Sequence, residues 1–127
     1  MSEAVVTSSR HSYPETLERL KGAIASAGGT LFAELDQSAA AKGVGLNLRP
    51  TTLLIFGNPK GGTLLMDAFP LTALDLPLKL LVWEEAGAVE VAYTPASSIA
   101  ARYAVTGKDA LIAALDVALR SAVASLA

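Results

Sequence analysis

LKLLVWEEAGAVEVAY, residues 78–93, is the stretch that decides the fold. Two runs rich in β-branched, aromatic and other apolar residues, 78–85 and 88–93, flank Ala86-Gly87, so the stretch reads as a β-hairpin with a two-residue loop. That loop length sets the register: Val82 faces Val91 and Leu80 faces Tyr93.

Working upstream, TTLLIF at 51–56 is continuously apolar after Thr52 and is bounded by Pro50 and Gly57, which predicts a central strand covered on both faces. Residues 30–36 alternate. Leu31, Ala33 and Leu35 are expected on one face, and Thr30, Phe32, Glu34 and Asp36 on the other. Residues 3–10, with Val5, Val6 and Thr7, are expected to form an edge strand. Helices separate these runs. Ser12 and Glu15 have capping-box spacing around Pro14, and Leu17, Leu20, Ile24 and Ala27 form one stripe that Gly28-Gly29 ends. Asp36 is placed to cap a short helix, QSAAAK, ended by Gly43. Thr63–Phe69 suits another short helix.

Downstream of the hairpin, Thr94-Pro95 predicts a helix through Tyr103, capped by Thr94. The last helix, about 108–126, starts from Thr106 and Asp109 at capping spacing. It gathers Leu111, Ile112, Leu115, Leu119, Ala122 and Leu126 in one arc, with Asp116 and Arg120 outside it. The expected architecture is α+β: a two-layer domain with helices packed on a mixed β-sheet of about four to five strands. The whole chain, 1–127, reads as one domain, with a core at about 12–103 followed by the C-terminal amphipathic helix.

Composition narrows the function. Of the 127 residues 52% are hydrophobic, but no run approaches the ~18 residues that a membrane span requires. A net charge of −2, with the basic residues scattered, gives no footprint for nucleic acid and no basic face for a membrane surface. There is no cysteine, which removes disulfides, thiolate metal sites and cysteine nucleophiles. His11, the single histidine, is read as an exposed residue, and no metal or cofactor is expected. The N-terminal MSEAVVTSSR lacks the apolar stretch of a signal peptide, so the chain is read as cytoplasmic.

The conspicuous polar loop is IFGNPKGGTLLM, residues 55–66. Gly57-x-x-x-x-Gly62-Thr63 has the glycine spacing and the threonine of a P-loop, but Lys60 stands too early and Pro59 removes an N–H donor. A nucleotide cradle is therefore rejected. Two readings survive. In one, Gly61, Gly62 and Thr63 open a helix whose N–H groups, with Lys60, hold a small anion. In the other, Asn58-Pro59 makes a turn and the glycines supply positive φ or a close backbone approach.

Four stretches carry a family resemblance: VGLNLRPTTLLIFGNP at 44–59, GTLLM at 62–66, ALDLPLKLLVWE at 73–84 and VAYTPASSIAARY at 91–103. With them the chain resembles the bacterial and archaeal family called domain of unknown function 302. The resemblance implies a compact α+β domain that forms a homodimer, and it implies no established reaction. Several members carry Asp-His where this chain has Asp36-Gln37, and a glutamine cannot titrate. The candidate ligand-binding residues are Asp36, Arg49, Asn58, Lys60, Gly61, Gly62, Thr63, Asp75 and Lys79, polar or glycine positions at element ends or beside prolines. The expected function is a homodimeric domain that holds a small polar or anionic ligand near Asn58–Thr63 and Asp36, without nucleic-acid or membrane partners. The alternatives are a purely structural module, or an enzyme using Asp36 or Asp75 as acid or base.

Overall fold

The structure, a computed structural model, describes residues 3–127. Strand β1 (Val5–Ser9) leads to helix α1 (Tyr13–Ser26), then β2 (Thr30–Asp36), α2 (Gln37–Gly43), β3 (Thr51–Gly57) and α3 (Pro59–Ala68). A 3-10 turn (Pro70–Leu74) precedes the hairpin β4 (Leu78–Glu85) and β5 (Ala88–Tyr93), and helices α4 (Ala96–Arg102) and α5 (Asp109–Ala124) follow. The five strands form one sheet in the order β1-β5-β4-β3-β2. The two-layer α+β architecture stands as expected, but the sheet is antiparallel at every pairing rather than mixed.

The hairpin has the register read from its loop: Val82 pairs with Val91 and Leu81 with Ala92. Ala86 and Gly87 take φ of 52° and 82°, the left-handed pair that a tight hairpin loop matching strand twist requires.

The pleat sends one side of each strand to the core. Leu54 and Phe56 on β3, Leu78, Leu80 and Val82 on β4, and Val89, Val91 and Tyr93 on β5 are buried. They pack against Leu20 and Ile24 of α1 and against Leu119, Ala122 and Leu126 at the C-terminal end of the chain. A smaller cluster of Leu65, Ala96 and Ile112 joins α3, α4 and α5.

Several local expectations are corrected. The TTLLIF strand is not covered on both faces. The strand does lie inside the sheet, between β2 and β4, but Thr52, Leu54 and Phe56 are buried while Thr51, Leu53 and Ile55 remain half-exposed. Leu31 and Ala33 do not share a face, because a bulge between them pairs Leu31 with Phe56 and Ala33 with Ile55. The helix after the glycine loop starts at Pro59 rather than Thr63, so Gly61 and Gly62 lie inside its first turns. His11 is half-buried rather than exposed, with Nδ1 3.6 Å from Glu15 Oε1.

Neither Thr94 nor Thr106 caps a helix. The start of α4 is held from across the packing interface instead. Asp116 of α5 accepts the N–H of Ala96 at 2.6 Å and that of Ser97 at 3.2 Å. Two otherwise unpaired helix donors are thereby satisfied by one carboxylate, which also ties α4 to α5. The Asp116→Ala variant is expected to lose about 1–2 kcal/mol in urea unfolding, the usual range for a lost cap. Thr94→Ala should change the midpoint far less.

Candidate functional site

The residues singled out in the sequence divide between two ends of the sheet. Asp36 pairs with Thr52 at one end of β3, whereas Thr30 pairs with Gly57 at the other. Five residues of strand separate them, roughly 17 Å at the usual rise. Asp36 and Asn58 therefore line no common cleft.

At the first end, Asp36 caps α2. Its Oδ1 accepts from the Ala39 N–H at 2.9 Å and the Ser38 hydroxyl at 2.7 Å. These bonds hold its carboxyl below the ordinary carboxylate range, the Ala39 N–H contributing most. Arg49 stands 3.8 Å from Glu85 as an exposed ion pair. Neither residue borders an enclosed space deep enough to bury a ligand. Arg49 and Leu48 edge an open depression over Thr51, Leu81 and Trp83.

At the second end, Asp75 follows the 3-10 turn and meets α4. Its Oδ2 accepts from the Tyr103 hydroxyl at 2.5 Å and from Arg102 Nη1 at 2.7 Å, and Arg102 Nη2 reaches Glu3 at 3.0 Å. The Tyr103 bond, then Arg102, hold the Asp75 carboxyl below its usual value, and the same bond pushes the Tyr103 phenol up. Lys79, Thr94 and Ile99 complete a small hollow of about 70 Å³ beside this network. A general base works best with a pKa near the operating pH. Asp36 and Asp75 are both shifted the opposite way.

This end also carries a half-open, mostly apolar cleft of about 210 Å³, deeper set than the wider, shallower depression of about 350 Å³ over Ser97, Asp109 and Asp116. Four segments converge on the cleft: Phe32 beside the β2 bulge, Gly57 to Met66 at the start of α3, Leu76 to Leu78 before β4, and Leu115 of α5. The Leu76–Pro77 peptide is cis. Asn58, Gly62 and Thr63 lie on its wall, but Lys60 and Gly61 do not, and no charged side chain lines it. A narrower hollow of about 70 Å³ continues from Gly57, Asn58, Leu78 and Leu115 along α1.

The glycine segment has its own geometry. Asn58 Oδ1 accepts the Lys60 N–H at 3.0 Å, and the Asn58 carbonyl accepts that of Gly62 at 3.0 Å. Pro59 has no N–H. An anion would therefore find the Gly61 N–H alone among the first helical donors. Positive φ belongs to Gly28, Gly45, Gly87 and Gly107, not to this pair. A Cβ on Gly61 would stand 3.4 Å from Leu111 Cδ1, an ordinary contact with α5. On Gly62 it would meet only Met66 Cε, at 3.7 Å.

The sequence reading missed four apolar lining residues: Phe32, expected on the polar face of β2, Met66 and Leu76, given no role beyond the family stretches, and Leu115, read as part of the apolar arc of the last helix. It also missed Tyr103 and Arg102, for which the only signal was their place at the end of the YTPASSIAARY stretch.

The Asp75 network gives a pH dependence of defined sign. Its folded carboxyl is depressed, so its contribution is complete above the ordinary carboxylate value near ~3.9 and is lost as pH falls through the folded value. In Tyr103→Phe the largest cause of the shift is gone. A carbon-detected NMR titration should show the Asp75 carboxyl moving up toward the ordinary value. The stability gap from the parent should be widest above about pH 4 and should close in stronger acid.

The family model for domain of unknown function DUF302 matches residues 5–126. The crystal structure of an uncharacterized conserved DUF302 protein from Bacillus stearothermophilus superposes with a TM-score of 0.90 over 100% of both chains, at 17% sequence identity. That likeness is one of fold. Two curated relatives are named fluoride-specific ion channels FluC 1. One is from Brucella suis biovar 1 (strain 1330) and one from Brucella abortus biovar 1 (strain 9-941). Each is 46% identical over 84 residues, 66% of this chain but only 33% and 31% of theirs, so the chain matches about a third of the length of those proteins. Among the described residues no helix is long and apolar enough to cross a membrane. From the family match over nearly its whole length, this chain belongs to the DUF302 family.

Proposed function

We propose that the chain is a homodimeric small-molecule-binding domain whose site is the cleft between the start of α3, the 76–78 segment and α5. The carrying observation is the cleft itself: about 210 Å³ of space at the ends of β3 and β4, walled by four separate segments. A concave, mostly apolar pocket with a few polar groups at its edge is the usual form of a small-molecule site. Of the sequence candidates, Asn58, Gly62 and Thr63 belong to this reading. Asp36, Arg49, Lys60, Gly61, Asp75 and Lys79 do not line it.

The dimer reading draws on the sheet's second face. Leu53, Ile55, Leu81 and Trp83 are half-exposed there, and on the flanking strands Val6 is 55% and Leu35 43% exposed. Helices α1 and α5 pack against the opposite face. The strand dimensions make the bare face about 20 by 24 Å. Leu48 borders it, and the same connection exposes Val44 and Leu46 at 74% and 63%. Lys79, opposite Ile55, and Glu90, opposite Trp83 and bonded to Ser8, share this largely apolar face, and the exposed rim must add to its area to reach the ~800 Å² per partner of a stable interface. A two-fold arrangement would lay each face on its own copy.

Two measurements test the reading. Titrating a fragment library into the full chain should produce amide shifts that cluster on Gly57, Gly62, Met66 and Leu115. Shifts scattered over the surface, or none, would overturn the binding site. Light scattering should give twice the chain mass for the parent, and the monomer mass for Leu81→Glu with its circular dichroism unchanged. A monomeric parent would overturn the dimer.

A further inference from the structure

Resting on the binding reading above, we infer that the cleft accepts an uncharged compound of one aromatic ring bearing one hydrogen-bonding group, the phenol class, and rejects anions. Size is the first argument. A sealed apolar cavity of about 150 Å³ holds a benzene ring, and pockets for drug-sized molecules begin near 300 Å³. At about 210 Å³ the half-open cleft has room for a single ring with one substituent.

The walls supply the second argument. Phe32, Met66, Leu76, Pro77 and Leu115 present a ring, a thioether and aliphatic faces, surfaces that favour an aromatic guest. No lysine or arginine reaches the lining. A buried anion without a cation or a fan of N–H donors bears the full cost of desolvation, which here only polar atoms at the cleft mouth would offset.

Polar atoms at the mouth supply the third. Asn58, exposed at the cleft edge, uses Oδ1 to cap α3, and its Nδ2 has no protein partner among the described residues. The Thr63 hydroxyl is likewise unbonded. One donor and one adaptable hydroxyl beside an apolar chamber match a neutral hydroxyl or carbonyl substituent.

Gly62 supplies the fourth. It sits in a helix, where glycine is less favourable than alanine. Its backbone needs no positive φ, and a Cβ would meet nothing closer than 3.7 Å. What a side chain would do there is fill the cleft.

The test is a set of separate titrations of phenol, cyclohexanol and benzoate into the full chain, followed by amide shifts at the cleft. Phenol should saturate them at a concentration at least tenfold below benzoate and severalfold below cyclohexanol. Gly62→Leu should abolish the phenol response. Gly62→Ala, whose single methyl makes only an ordinary contact, should weaken it severalfold and guards against a misfolded larger variant. Thr63→Val should weaken phenol severalfold and leave toluene unchanged. Cleft shifts equally strong with benzoate or cyclohexanol would overturn the ligand class while leaving the cleft as a binding site. Phenol binding untouched by both Gly62 variants would place it elsewhere and overturn the inference. Silence at the cleft toward all three and toward the fragment library would overturn both readings.

Discussion

Leu80 and Val82 lie fully buried at the middle of β4, with Leu54 beside them on β3 and Val91 on β5. Each such side chain contributes about 1.5–3 kcal/mol when removed from water. Because successive residues of a strand point to opposite faces, this one layer determines where everything else goes. Helices α1 and α5 must cover the Leu80 face, and residues one position along, Leu81 and Trp83, are left on the other. The same arrangement ends the covered layer near Gly57 and Leu78. There α3, the 76–78 segment and α5 meet without filling the space between them.

Much of this was legible because it is local. The hairpin register follows from loop length alone, and Ser12 and Asp36 cap the helices that their spacing indicates. The failures are non-local. An apolar run such as TTLLIF looks the same whether it is buried on both faces or buried on one with an apolar second face left bare. The β2 bulge shifts Ala33 relative to Leu31, and no glycine marks it in the sequence. In the sequence Asp116 simply lies outside the apolar arc of α5, yet an aspartate inside a helix otherwise lined by Leu and Ala is poorly suited to its place. That mismatch was the available signal that its carboxylate serves a different helix.

The site was harder to read than the fold for a related reason. Polar side chains at strand ends attracted attention, but they divide between opposite ends of the sheet, and most are occupied with caps and ion pairs. The cleft is walled by Phe, Met, Leu and Pro, whose presence in any sequence is first explained by a core. Only the two mouth residues, Asn58 and Thr63, and the glycine beside them connect the two descriptions. Gly61 and Gly62 are adjacent in sequence but face different neighbours, Leu111 of α5 on one side and Met66 of the cleft wall on the other.

Strand β1 runs from Val5 to Ser9 but pairs only with β5, Val5 lying opposite Tyr93. Within this domain β1, the first of the described strands in chain order, therefore has no partner until β5 has been made. Closing so long a loop is entropically slow, and contacts of this range lower folding rates. The local units, the β4–β5 hairpin and the β3–β4 pair, can assemble first, with β5 presenting an open edge in the interval. The domain's opening residues are thus its closing ones. The exposed edge of β5 during that wait is where a nascent chain would meet a neighbour of its own kind.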